Sequence, residues 1–86
     1  MYLHLGLDKV VLSRDVIGIF DLDNTTTVPA TREFLSLSEK NGTLVTIGTD
    51  LPKSLILCQE NGQNKVYISQ ISPQTLVKRA EKKREE

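Results

Sequence analysis

Two aspartates, Asp21 and Asp23, flank a single leucine and are followed by Thr25. They stand where an apolar run, Val16-Ile17-Gly18-Ile19-Phe20, breaks into a polar stretch ending at Thr27. Paired carboxylates and a hydroxyl at the end of a buried strand suit phosphoryl transfer. One carboxylate attacks phosphorus, the other handles the proton, and their oxygens hold a magnesium ion. The same residue types also suit a plain connection, because Asp and Thr side chains bond local backbone in loops and at helix entries.

The catalytic reading makes demands on the rest of the chain. The Asp21-x-Asp23-x-Thr25 pattern resembles the nucleophile loop of haloacid-dehalogenase-like phosphatases, and that resemblance implies a doubly wound parallel sheet. Each strand–helix–strand unit of such a sheet takes roughly 30 residues, and the chain has 86. A downstream lysine and a second acidic cluster in matching arrangement are not visible. A phosphatase fragment using Asp21 and Asp23 is therefore a remote alternative, and the expectation is a non-enzyme.

Charge is the second place to look for chemistry. Eleven basic and eleven acidic residues cancel, so bulk charge gives no nucleic-acid signal, although local asymmetry still can. Candidate phosphate contacts are Arg14, Lys53 and the basic run Lys78, Arg79, Lys82 and Lys83. On a helix Lys78 and Lys82 share a face, as do Arg79 and Lys83, and such a helix end can lie along a phosphate backbone. The competing reading is a solvated tail: cations near a helix C-terminus favour its dipole, and Glu81, Glu85 and Glu86 dilute the patch. Arg14 adjoins Asp15, so a local ion pair competes with a phosphate contact there. Four aromatics and no tryptophan leave base-stacking platforms sparse.

One cysteine and one histidine give neither a disulfide framework nor a zinc cluster, and no cofactor or metal is expected. Cys58 sits in an apolar run and reads as a small buried hydrophobe; His4 reads as a solvated or satisfied strand residue. No apolar run reaches the length of a membrane span, and the first residues lack the charged and long apolar regions of a signal peptide. The expected location is cytoplasmic.

The expected architecture is a single α+β domain over residues 1–86: a small antiparallel sheet, one internal helix and a C-terminal helix. Tyr2–Leu5, Val10–Leu12 and Val16–Phe20 are spaced as an antiparallel meander. Thr27 or Val28 caps a helix whose first turn holds Pro29. Ala30, Phe34 and Leu37, widened by Leu35, form its sheet-facing stripe, and Gly42 ends it. Thr43–Ile47 is a further strand, and Pro52 marks a loop or an edge. Ser54–Cys58 and Lys65–Ser69 flank a turn at Asn61-Gly62 that looks longer than two residues. Ser72 caps a final helix with Pro73 in first position and Leu76, Val77 and Ala80 inward.

Four separated blocks carry a wider likeness: Tyr2-Leu3-His4-Leu5-Gly6, Ser13 through Asp21, Pro52-Lys53-Ser54 and Ser72 through Arg79. Together they resemble the RemA-like family of small extracellular-matrix regulatory proteins, over essentially the whole chain. The resemblance implies a non-enzymatic transcription regulator of biofilm matrix genes. It also implies a homo-oligomer closed into a ring, with loop arginines on double-stranded DNA and a RemA-type protein as a further partner. Repetition around a ring adds weak contacts through effective concentration. The family pattern has a Gly-Arg-Arg loop before the fifth strand. Here that loop is Gly48-Thr49-Asp50-Leu51-Pro52-Lys53-Ser54, with Lys53 its one cation. A family arginine at the start of the third strand falls on or beside Asp15, leaving Arg14 as the stand-in. The alternative is a protein–protein interaction module of the same fold without direct DNA binding.

Overall fold

The computed structural model describes residues 2–25 and 29–84, leaving aside the side chains of residues 24, 25 and 81–84. Its centre is a hairpin of β5 (Ser54–Glu60) and β6 (Gln63–Ser69). The strands run right up to Asn61 and Gly62, both with positive φ (53° and 79°). The connection is thus two residues long, shorter than the sequence suggested. Positive φ at both positions matches the twist of the flanking strands, which is why Asn-Gly is favoured there.

β3 (Val16–Asp21) joins β5 antiparallel, and β4 (Leu44–Thr46) joins β6 parallel, giving the order β3-β5-β6-β4. β1 (Tyr2–Gly6) and β2 (Lys9–Leu12) pair only with each other. The expected three-strand meander is therefore divided: a short 3-10 turn at Ser13–Asp15 redirects the chain, and β3 enters the second sheet. The apolar pattern explains the split. Leu3, Leu5 and Val11 point inward from the hairpin onto Ile56, Cys58 and Tyr67 of the larger sheet, forming one core with Leu76. Alternate residues of the same sheet, Leu55, Val66 and Ile68, form a second core on its other face, with Leu22, Leu35 and Leu44. Each fully buried aliphatic side chain contributes roughly 1.5–3 kcal/mol over an exposed one.

α1 (Leu22–Thr25) is one helical turn where the sequence reading placed a loop, and α2 (Pro29–Lys40) follows. The expected cap at Thr27 or Val28 lies outside the described residues. α2 ends as anticipated, with Gly42 N–H donating to the Glu39 carbonyl at 3.2 Å and Thr43 N–H to that of Ser38 at 2.9 Å. Those two bonds satisfy carbonyls that the helix end leaves open. The face of α2 differs from expectation. Leu35 and Ser38 are its covered positions, while Ala30, Phe34 and Leu37 lie exposed along its flank. α3 (Pro73–Arg84) starts as expected, the Ser72 hydroxyl accepting Thr75 N–H at 3.3 Å. Leu76 and Ala80 pack inward, but Val77 is 40% exposed. Among the described residues, no helix is long and apolar enough to cross a membrane.

Candidate nucleic-acid interface

β3 separates two groups of candidate residues. It runs six residues from the Arg14 end to Asp21, about 20 Å at the usual strand rise. At its start, Ser13, Arg14 and Val16 line a cleft of about 370 Å³ together with Leu3, Ile19 and Ala80. α3 runs back along the sheet from Ser72, so its later turns arrive beside Arg14. Lys78 is exposed. The side chains of Lys82 and Lys83 lie outside the described residues. Ser13, which the sequence analysis did not single out, has its hydroxyl buried beside Arg14 with no hydrogen-bond partner in the described structure.

Arg79 has a structural engagement. Its Nη1 donates to the His4 carbonyl at 3.1 Å and lies 3.5 Å from His4 Nδ1, while His4 Nε2 reaches the Leu7 carbonyl at 2.5 Å. Nε2 must carry the proton to donate to a carbonyl, so Nδ1 is left as the acceptor facing Arg79. The guanidinium thus fastens α3 to the β1–β2 hairpin. His4 is satisfied, as the sequence reading held.

Lys53 is at the other end. Asp21 pairs in register with Ser54, and Leu22 N–H donates to the Lys53 carbonyl at 3.0 Å. This brings the Asp21 and Asp23 segment alongside Lys53. The loop before it is pinned by Gln70, whose Oε1 accepts Asp50 N–H at 2.6 Å. Gly48 has a φ of 86°, a conformation that favours glycine, and the Gln70 amide packs where its Cβ would lie.

Asp21 itself acts locally: its Oδ1 accepts Asp23 N–H at 2.9 Å. That is an N-cap bond for the short α1. β3 is an edge strand of a largely antiparallel sheet, unlike the doubly wound parallel sheet that a nucleophile loop of this type requires. No three His, Cys, Asp or Glu residues are grouped to hold a metal ion among the described residues.

The remaining titratable cluster centres on buried Tyr67 and Cys58. Tyr67 donates its hydroxyl to Glu60 Oε2 at 2.6 Å, with the Lys9 ammonium 5.0 Å from its ring centroid. Burial, and then the bond to Glu60, pushes the Tyr67 hydroxyl upward. Burial, followed by the negative charges of Glu60 and Asp15, pushes the Cys58 thiol up to about 11. Cys58 is a buried free thiol.

Comparison with known proteins agrees with this architecture. The family model "RemA-like", described as extracellular matrix regulatory protein A-like, matches residues 2–80. The chain is also 40% identical over 81 residues to "Extracellular matrix regulatory protein B" of Bacillus subtilis (strain 168), covering 94% of this chain and 91% of that one. The chain belongs to the RemA-like family.

Proposed function

We propose that the chain is a non-enzymatic, cytoplasmic regulator of extracellular-matrix genes that works as a homo-oligomer on double-stranded DNA. The observation that carries this is the cleft where Arg14 meets α3 at Ala80. The cleft brings Arg14 against the turn of α3 that holds Ala80, where the basic end of that helix begins, and this reading takes the two together as the phosphate contact. Lys53 belongs to a different surface of the same subunit. Repetition of each contact around a closed ring adds to the affinity through effective concentration. The test is duplex binding by fluorescence anisotropy across salt concentrations. Affinity falling steeply with salt supports several phosphate contacts per particle. No binding at low salt rejects the DNA reading.

A second reading, an interaction module without direct DNA contact, draws on the other end of β3. Lys53 is the one cation of its loop, which also carries Asp50, and the Asp21–Asp23 segment runs beside its backbone, a balance that disfavours phosphate. Under this reading the partner is a protein, for which a RemA-type relative is the first candidate. Co-sedimentation of the two purified proteins in the absence of DNA tests it.

A further inference from the structure

The cleft between the start of β3 and α3 is built unlike a phosphate track. Leu3, Val16, Ile19 and Ala80 make its walls apolar, and its polar lining residues are Ser13 and Arg14. Leu3 is a core residue, 1% exposed, and Val16, Ile19 and Ala80 are half-buried against the same core. Packing that the fold needs in any case therefore fixes these walls. A DNA backbone gains little from them, since phosphate contacts are polar and position the duplex at the surface. A concave, mainly apolar site with a few convergent polar groups is the architecture that small molecules occupy. A volume of about 370 Å³ lies at the small end of their range.

The two polar residues set the chemistry of the occupant. Arg14 is exposed, and among the described residues no ion pair holds its guanidinium, the adjacent Asp15 included. Its fork of N–H donors matches a carboxylate in bidentate fashion. Beside it the Ser13 hydroxyl is buried without a hydrogen-bond partner, and a buried polar group left unpaired is costly. A carboxylate seated on Arg14 gives the neighbouring hydroxyl an acceptor. The guanidinium repels an amine, and a fully polar anion leaves the apolar walls unused.

We propose that this cleft binds a small carboxylate with an apolar body, its head on Arg14 and Ser13 and its body on Val16, Ile19 and Ala80. Occupancy takes Arg14 away from phosphate, so the ligand releases the chain from DNA. That consequence rests on the DNA contact proposed above, whereas the site itself does not.

Amide chemical-shift titration of the full chain, without DNA, tests the site. Phenylacetate and hexanoate are the probes; phenylacetamide lacks the charge, and acetate lacks the apolar body. Saturable shifts are expected at Ser13, Arg14, Val16 and Ala80 with either probe, and binding about tenfold weaker or worse with phenylacetamide and with acetate. Arg14→Ala is expected to lower phenylacetate affinity by about tenfold or more. Ser13→Ala is expected to lower it severalfold while leaving the Tm of the free chain unchanged or raised, since it removes an unpaired hydroxyl. A merely structural serine would do the reverse, lowering Tm and leaving affinity alone. Ala80→Met, which fills the cleft, is expected to abolish saturation. Circular dichroism confirms folding, and Ser13→Ala keeps the test open should Ala80→Met misfold.

Absence of saturable shifts at these residues with both carboxylates overturns the site. Equal binding of phenylacetamide overturns the carboxylate assignment, and equal binding of acetate overturns the apolar one. For the DNA consequence, anisotropy of the preformed complex should fall as phenylacetate is added and hold when acetate is added at the same ionic strength. A complex that ignores a carboxylate bound by the free chain overturns the competition. If no DNA complex forms, the DNA reading and the competition fall together, while the amide shifts still decide the site.

Discussion

Ser54 and Ser69 face each other across β5 and β6, both fully buried, and each spends its hydroxyl on the backbone of another element. Ser54 donates to the Ile71 carbonyl, and Ser69 donates to the Leu5 carbonyl at 2.6 Å while accepting Ile71 N–H at 3.0 Å. Together they hold the approach to α3 and the end of β1 against the sheet. Ser69→Ala removes both Ser69 bonds and leaves buried backbone groups unpaired, a cost of about 2–3 kcal/mol. For a domain of this size that lowers Tm by roughly 10–20 °C. Thermal unfolding followed by circular dichroism checks it, and a shift of only a degree or two would show that water replaces the hydroxyl.

Cys58 links stability to alkaline pH. Its thiol ionises near 9 when the chain is unfolded and near 11 when folded. The folded state therefore holds the proton more tightly, and stability is full below pH 9. Above that the unfolded chain ionises first, and stability falls until about pH 11, by about 2–3 kcal/mol in all. Urea midpoints measured between pH 8 and pH 10 should decline, and Cys58→Ala should flatten that decline; above pH 10 the Tyr67 hydroxyl, also pushed upward, adds a decline of its own. In the native state at pH 8 the thiol should react with a soluble disulfide reagent far more slowly than after unfolding.

Arg79 separates a structural role from a DNA role. Arg79→Ala removes the fastening of α3 to His4 and should cost about 1–2 kcal/mol, the range for a charged hydrogen bond together with lost packing. Its effect on DNA affinity should be smaller than that of Arg14→Ala. The opposite order would place Arg79 directly on phosphate.

Arg14 and Lys53 should likewise differ. Arg14→Ala is expected to weaken duplex binding alike for all sequences and to reduce the salt slope by about one. Lys53→Ala should do less, because its loop also carries Asp50 and the Asp21–Asp23 segment runs beside it. A larger loss at Lys53 would move the interface to the Asp21 end of β3.

Asp21 is the test of the catalytic alternative. Asn keeps an oxygen able to accept the Asp23 N–H, so Asp21→Asn should change stability by less than about 0.5 kcal/mol, whereas Asp21→Ala should cost about 1 kcal/mol. Hydrolysis of a phosphomonoester with magnesium that Asp21→Asn abolishes would reinstate the nucleophile role.

Local chemistry was the most legible part of the sequence. Ser72-Pro73 at the start of α3, Gly42 after α2 and Pro29 in its first turn act within a few residues, and the structure places each as expected. Pairing was less legible. Val16–Phe20 has the composition of a strand, yet nothing local distinguishes a third meander strand from an edge strand of another sheet. The parallel β4–β6 pair was hidden for the same reason. Ala30, Phe34 and Leu37 misled because an apolar stripe indicates that a surface is to be covered without indicating by what. At the candidate interface, Arg14 and Arg79 looked alike as cations. Only the fold shows that one borders an open cleft and the other fastens His4.

That last contact joins residues 75 apart, and it bears on how the chain matures. During synthesis, β1 and β2 emerge long before α3 is made. Until the helix leaves the ribosome, the apolar side of the hairpin and the Tyr67 face of the sheet lack one wall of their core. Such exposed surface is where nascent chains are caught by chaperones or by one another. Slowed translation over codons 73–80 should therefore reduce soluble yield more than the same delay over codons 61–62, whose turn closes from neighbouring residues alone.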